Sequence, residues 1–307
     1  MNSQNIIKGI FESLLSSKIK DRIERTILII AILSYLIHLL LILLNAQGII
    51  HLEQKFFKNP IAAIYTPFSF ILIYEVYLLI YFLPKSITVY IGKQYEIITL
   101  IVIRRIFKDI AYVELSSTWF QDKNDLQFTF DVLTSLILFF LIFLFYQNIK
   151  NKDYDQIDRS NKKGLPIEKF ILLKQSLAAI LVPTLAILAF YTLIHWGSIM
   201  LTNYNNGLME FKKINNIFFD EFFSVLIIVD VLLLLFSFFY SDQFHKIIRN
   251  SGFVISTILI KVSFLSEGIL NNVLILSAVL FGYIILIIHN LYENDTEAKK
   301  IHEGNNE

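Results

Sequence analysis

Residues 68–109 read FSFILIYEVYLLIYFLPKSITVYIGKQYEIITLIVIRRIFKD and hold two apolar segments, each long enough to approach the width of a bilayer. The first segment carries Glu75 near its middle, and the second carries Arg104 and Arg105. The short polar link at 84–96 predicts that the two segments form neighbouring helices that run in opposite directions. An ionised side chain at the middle of a bilayer costs about 2.5 to 3.5 kcal/mol on insertion scales. Charges at this depth are therefore expected to be paired inside a helix bundle.

The composition indicates a membrane protein. Of the 307 residues, 55% are hydrophobic and only 17% are charged, whereas a soluble domain has about 25% charged residues. The apolar residues form runs of about 20 residues, which is the length that an α-helix needs to cross a bilayer. Cysteine is absent, which excludes disulfides and cysteine-ligated metals.

The hydropathy pattern predicts an all-α polytopic membrane protein with eight transmembrane helices. Residues 1–25 place Ile, Leu and Phe on one helical stripe with charges opposite, which predicts an amphipathic helix. This helix lies either in the membrane interface or against the cytoplasmic face of the protein itself. No small-residue cleavage site follows the first apolar run, so we expect no cleavable signal. The predicted spans are about 26–45, 67–83, 96–112, 128–148, 170–196, 218–240, 253–267 and 271–291.

The distribution of positive charge predicts the orientation. With the N-terminus inside, the cytoplasmic segments hold 18 Lys and Arg residues and the outer loops hold five. This asymmetry fits the positive-inside rule with both termini cytoplasmic. The sequence therefore predicts a multi-pass protein of the cytoplasmic (inner) membrane.

The two halves of the chain repeat. The rare polar residues of the first half recur in order in the second half, at an offset of 157 or 155 residues, and each half contains four predicted helices. An even number of helices per half gives two parallel (direct) four-helix repeats that face the same way. The matched residues are His38 with His195, Glu75 with Asp230, and Arg104 with Lys261. The predicted units are the amphipathic helix 1–25, the repeats 26–150 and 169–292, a basic cytoplasmic linker 151–168 between them, and a polar cytoplasmic tail 293–307.

Counting residues from the predicted helix ends places one acid and one base at the same depth in each repeat. Glu75 is expected to face Arg104, and Asp230 is expected to face Lys261. Such pairs either line a polar path and couple to a proton or ion, or fix helix packing as structural ion pairs. The second pair suits proton coupling, because a buried lysine can lose its proton and an arginine effectively cannot.

His38 and His195 occupy equivalent positions in the first and fifth helices. A histidine among Leu and Ile most often packs and forms a hydrogen bond, while two equivalent histidines also suit proton transfer or, as a weaker alternative, axial ligation of a haem. No sequence motif for metal or nucleotide binding is present. We therefore expect no metal, no cofactor and no nucleic-acid partner.

The sequence favours a transport protein or channel that moves a small ion (protons included) or a small solute, with the acid–base pairs along the route. The main alternative is a non-transporting sensor, for example of voltage, or a scaffold whose charge pairs are structural. An intramembrane enzyme or haem-based electron carrier is a weaker third reading, and the chain is expected not to be an enzyme. The lipid bilayer is one expected partner, and the sequence is also compatible with a homo-oligomer. The candidate coupling or pore-lining residues are Glu75, Arg104, Arg105, Asp230, Lys261, His38 and His195.

Overall fold

The computed structural model describes residues 9, 11–50, 57, 60–110, 123–149, 165–202, 207–238, 244–266 and 268–304. This part of the chain is helical and contains no strand. Its long helices follow the apolar segments of the sequence in order, and a 3₁₀ helix, Pro60–Ile64, precedes the second of them. The helices are α1 (Ser17–Ala46), α2 (Tyr65–Phe82), α3 (Ile87–Asp109), α4 (Lys123–Gln147), α5 (Leu165–Thr202), α6 (Gly207–Phe238), α7 (Phe244–Phe264) and α8 (Ile269–Gly304).

Five helical stretches in the described residues are long and apolar enough to cross a membrane, and they belong to α1, α4, α5, α7 and α8. Shorter apolar stretches lie in α2 and α6. Large apolar side chains point outward from the bundle, as at Ile32, Phe140 and Ile187, each more than half exposed. Such a surface suits contact with lipid, so the protein is embedded in a membrane. The five stretches are Phe11–Ala46, Asp125–Gln147, Lys169–Leu188, Phe244–Phe264 and Ile269–Asp295.

α2 and α3 form a hairpin with a link of only four residues, Leu83–Ser86. Pro84 ends α2, because proline has no backbone N–H and disfavours the helical conformation in the residue before it. α3 begins at Ile87, so the sequence-based start near residue 96 was wrong by nine residues. The polar residues that suggested a link lie inside the helix, where Lys93 Nζ donates to Glu96 Oε2 at 2.6 Å.

α7 and α8 form the second tight hairpin. α7 begins at Phe244 and not near residue 253, so its polar first turns also belong to the helix. After α7 the Ser266 amide donates to the Ser263 carbonyl at 3.0 Å. Gly268 then adopts a φ of +67°, a conformation that residues with a Cβ rarely adopt. This glycine lets the chain reverse before α8.

The amphipathic N-terminal stretch packs on the bundle itself. Residues 11–15 are helical, and Ser16 breaks the helix and caps α1, with its Oγ accepting from the Ile19 amide at 3.4 Å. Leu15 is 2% exposed and belongs to the core. The Tyr77 hydroxyl donates to the Leu14 carbonyl at 2.9 Å. For the described residues, the structure therefore agrees with the second of the two placements expected from the sequence.

The helices pack in sequence order within each half, and the two halves meet through α4 with α8, α3 with α7, and α2 with α5. Aromatic rings fill the centre of this contact. The Phe145 ring lies 5.2 Å from the Tyr95 ring and 6.1 Å from the Phe253 ring, measured between centroids. We call the end of the bundle that holds the Leu83–Ser86 link and the first turn of α7 the link end, and the other the opposite end.

Candidate functional site

The site is centred on Asp230, which lies on α6 and is 5% exposed. Gln94 of α3 donates from Nε2 to Asp230 Oδ2 at 3.1 Å. Thr257 of α7 in turn donates from Oγ1 to Gln94 Oε1 at 2.7 Å. Three helices from both halves of the chain therefore hold one buried carboxylate through neutral side chains. We call Tyr90, Gln94, Asp230 and Thr257 the Asp230 cluster.

Tyr90 lies one turn before Gln94 on the same face of α3. Its side chain is 2% exposed and lies within electrostatic reach of Asp230. The Tyr90 hydroxyl interacts with the Asp230 carboxylate and with Gln94. Tyr90 therefore belongs to the polar surroundings of the Asp230 carboxylate.

Lys174 of α5 interacts with the Asp230 carboxylate electrostatically. The Lys174 Nζ donates instead to the Lys85 carbonyl at 3.0 Å, at the end of the α2–α3 link. Among the described residues, no basic nitrogen lies within 4.0 Å of the Asp230 carboxylate. Asp230 is thus a deeply buried acid without a direct ion pair.

The expected pair of Asp230 with Lys261 is wrong. Asn250 Nδ2 donates to Ser237 Oγ at 3.4 Å and sets the register between α6 and α7. In this register Asp230 is level with Thr257, and Lys261 lies one turn, about 6 Å, farther along α7. The pairing failed because the sequence-based start of α7 was nine residues too late.

The expected pair of Glu75 with Arg104 is also wrong. The charged neighbours of Glu75 are Glu24, Lys93 and Glu96. Because the hairpin link has only four residues, Glu75 is level with this part of α3. Arg104 lies eight residues beyond Glu96, which is about 12 Å along the helix.

Arg105 forms a separate polar cluster toward the opposite end. Its guanidinium donates from Nε and Nη2 to the two carboxylate oxygens of Asp131 on α4, which is fully buried. The Nη1 atom donates to Asn271 Oδ1 at 2.6 Å, and Nη2 also donates to Asn272 Oδ1. Asp131 Oδ1 accepts two further hydrogen bonds, from Gln127 Nε2 at 2.6 Å and Asn272 Nδ2 at 2.7 Å. In this Arg105 cluster the buried charge is fully compensated.

Buried apolar side chains form a layer between the two clusters. Gln94 and Arg105 are eleven residues apart on α3, which is about 16 Å. Five apolar residues between the clusters on α3, α7 and α8 are at most 1% exposed and belong to the core, while the polar Thr99 of α3, 2% exposed, lies at the same level. The layer consists of Ile97, Ile98, Val102, Ile260 and Ile275.

His38 does not join these clusters. His38 is 4% exposed, and its Nδ1 lies 2.6 Å from Thr66 Oγ1. Its ring packs on Phe57 at 5.1 Å between centroids, so His38 joins α1 to the start of α2. His195 lies in α5, and its side chain falls outside the part of the chain that the structure describes.

The sequence reasoning missed most of both clusters. Asp131 could have been found from the sequence, since it is an acid inside the predicted span 128–148. Neutral side chains such as Gln94 give no such signal, because amides and hydroxyls are common in spanning helices. No group of three potential metal ligands from His, Asp and Glu occurs in the described ranges. The oxygen atoms around Asp230 suit a proton or a small monovalent cation.

The chain was also compared with known proteins. No protein family, characterised protein or solved structure matches it.

Proposed function

We propose that the protein is a multi-pass transport protein of the cytoplasmic membrane that moves protons or a small monovalent cation, with Asp230 as the coupling residue. The observation that carries this proposal is a carboxylate that is 5% exposed and bonded to the neutral Gln94. An ionised acid in such a place is costly. Binding a proton or a cation removes that cost, so Asp230 has a built-in affinity for either.

The comparison with Asp131 supports this role for Asp230. Asp131 is equally buried, but it has a bidentate arginine and two amide donors. A carboxylate with these partners acts as a structural element. Among the described residues, no arginine pairs with Asp230 in this way, and its neighbours Gln94 and Tyr90 are neutral. Within the proposal, Arg105 stabilises the bundle and Asp230 binds the transported ion.

In this proposal the protein has eight membrane spans, two direct repeats and cytoplasmic termini. The pattern of helix contacts supports a duplication, because α4 with α8 and α3 with α7 are pairs of equivalent helices that meet each other. At the link end, Asn290 Nδ2 donates to the Asn148 carbonyl at 2.7 Å. These two asparagines occupy equivalent positions at the ends of their repeats, as expected near a two-fold axis along the membrane normal.

In this proposal the Asp230 cluster opens toward the link end, and the apolar layer blocks the way to the opposite end. Lys174 and the Lys85 carbonyl lie on the link-end side of Asp230. Transport then requires the contact between α3 and α7 to open on the far side of Asp230. Rocking of one repeat against the other is a motion of this kind.

The alternative is a non-transporting sensor or scaffold, and the apolar layer is the observation that favours it. A scaffold needs no hydrated route, and residues such as Ile98 and Val102 are fully buried. In that case the polar clusters only specify how the helices pack. Flux measurements separate the two functions.

The test is ion and proton flux into liposomes that contain the full-length protein, with voltage set by a potassium gradient. We expect the parent to conduct and Asp230→Asn to lose at least nine-tenths of the flux, since the amide cannot bind a proton or pair with a cation. Tyr90→Phe should weaken the apparent affinity for the ion, because it removes the hydroxyl that interacts with Asp230.

Glu221→Gln is the matched control, because Glu221 is an exposed acid on the same helix as Asp230. We expect it to conduct like the parent. A parent protein that is folded yet conducts nothing at any voltage or pH would favour the scaffold. Equal flux in the parent and in folded Asp230→Asn would remove Asp230 from the mechanism.

A further inference from the structure

The hydrogen bonds at Asp230 form a chain that runs in one direction. Thr257 Oγ1 donates to Gln94 Oε1 at 2.7 Å, and Gln94 Nε2 donates to Asp230 Oδ2 at 3.1 Å. The three side chains are at most 5% exposed. The Gln94 amide therefore lies between a donor on one side and an acceptor on the other, and this arrangement fits an ionised Asp230, which only accepts.

Thr257 has a second acceptor within reach. Its Oγ1 also lies 3.2 Å from the carbonyl oxygen of Phe253, one turn earlier in α7, with the geometry of a donor. A hydroxyl has only one hydrogen to donate, so it serves either Gln94 or Phe253 at a given moment. Thr257 can therefore become an acceptor toward Gln94 and still have a partner for its own hydrogen.

A half turn of the Gln94 amide reverses the chain. The terminal torsion of glutamine is broad and roughly two-fold, so its oxygen and nitrogen exchange places at little cost. After the half turn a protonated Asp230 donates to Gln94 Oε1, and Gln94 Nε2 donates to Thr257 Oγ1. Thr257 then donates to the Phe253 carbonyl. Each link of the chain is thus a hydrogen bond in both protonation states of Asp230, as buried polar groups require.

The surroundings of Asp230 suit a proton better than a metal cation. Cations such as Ca²⁺ and Mg²⁺ are held by about six or more oxygen ligands. In the described part of the chain, the side chains that interact with the Asp230 carboxylate are Gln94 and Tyr90 of α3 and Lys174 of α5. Lys174 is itself a cation, and Gln94 directs its N–H toward the carboxylate. A proton needs only one acceptor oxygen, which Asp230 supplies.

We propose that the ion bound at Asp230 is a proton, and that the Gln94 amide makes a half turn whenever Asp230 gains or loses it. The proton comes from water and returns to water, while Gln94 and Thr257 keep their own hydrogens. Gln94 thereby gives the site its preference for a proton. This inference rests on the transport function proposed above and specifies the ion that is moved.

The first test compares ions in liposomes that contain the full-length protein. Proton entry is followed with a pH-sensitive dye inside the vesicles, in sodium, potassium or choline salts, with a trace of potassium and valinomycin to balance the charge. We expect the same proton flux in all three salts. Sodium or potassium flux without proton flux would overturn this inference and leave the transport proposal standing. A folded parent that moves no ion would overturn both.

The second test is spectroscopic and does not depend on flux. The infrared C=O band of a protonated carboxyl group lies at lower frequency when its O–H forms a hydrogen bond, and the loss of this band in Asp230→Asn assigns it. Gln94→Met keeps the length of the side chain and removes the acceptor, so we expect the band to move to higher frequency. An unmoved band in folded Gln94→Met, or no Asp230 band at any pH, would overturn the proposal.

Thr257 offers a second variant that decides the question if Gln94→Met does not fold. Thr257→Val keeps the shape and leaves the far end of the Gln94 amide without a partner in both orientations. We expect proton flux to fall about tenfold, as for one lost buried hydrogen bond, and Thr257→Ser to recover most of it. Thr184→Val is the control, because the Thr184 hydroxyl donates to the Ile180 carbonyl of its own helix. Equal flux in folded Thr257→Val and Thr184→Val would contradict the reversal of the chain.

Discussion

Arg105→Met is expected to lower the free energy of unfolding by about 3 to 5 kcal/mol, the usual cost of leaving one member of a buried ion pair without its partner. The Asp131 carboxylate is fully buried and would lose both hydrogen bonds from the guanidinium. Asn271 Oδ1 and Asn272 Oδ1 would each lose a donor as well. Unfolding of the full-length protein in detergent, followed by helix content against denaturant, measures the effect.

The double variant Arg105→Met/Asp131→Leu tests the cause of this loss. Removing both charges leaves no uncompensated ion, so most of the stability should return. Arg25→Met is the control, because Arg25 is an exposed arginine on α1. If Arg105→Met unfolds at the same denaturant concentration as Arg25→Met, the pair contributes nothing and Asp131 tolerates burial without it.

Gly282→Ala should destabilise the contact between the halves by about 3 kcal/mol, the upper part of the range for overpacking in a core. A Cβ at Gly282 would lie 1.7 Å from the Tyr95 hydroxyl oxygen and 2.9 Å from its Cζ. Tyr95 cannot move away freely, because its hydroxyl bonds to Ser256 at 2.8 Å and its ring is fully buried. The same unfolding measurement detects the loss.

Shortening the neighbour should recover part of that stability. Tyr95→Leu in the Gly282→Ala background removes the atoms that collide, so the double variant should be more stable than Gly282→Ala alone. Gly9→Ala is the control, since a Cβ there meets nothing within 4 Å. A Gly282→Ala protein as stable as Gly9→Ala would mean that α3 and α8 do not approach each other this closely.

Hydropathy alone was sufficient to predict helices and their order. The long apolar runs of α1, α4 and α8 predict their helices well, because an apolar run of this length has few other folded forms. The starts of α3 and α7 could not be predicted in the same way. Their first turns carry Lys93 and Arg249, and long basic side chains are accommodated in a helix by neighbours such as Glu96 and Asn250.

The charge pairs failed for a related reason. Depth along a helix follows from residue counts once its ends are known, but the direction in which a side chain points depends on how the helices rotate and pack. Glu75 and Asp230 occupy matching positions in the sequence, yet Glu75 lies among charged groups and Asp230 lies against Gln94. Whether a buried acid forms an ion pair therefore depends on the neutral residues around it. A hydropathy pattern does not identify these residues.

The hydrogen-bond partners of α3 are synthesised at different times. Asp131, the partner of Arg105, follows it by only 26 residues, whereas Ser256, the partner of Tyr95, follows it by 161 residues. At about 5 to 20 residues per second, the second interval lasts about 8 to 30 seconds. During that time the polar side of α3 has no partner from the second half. Misfolding of this protein is therefore most favoured while only its first half has been synthesised.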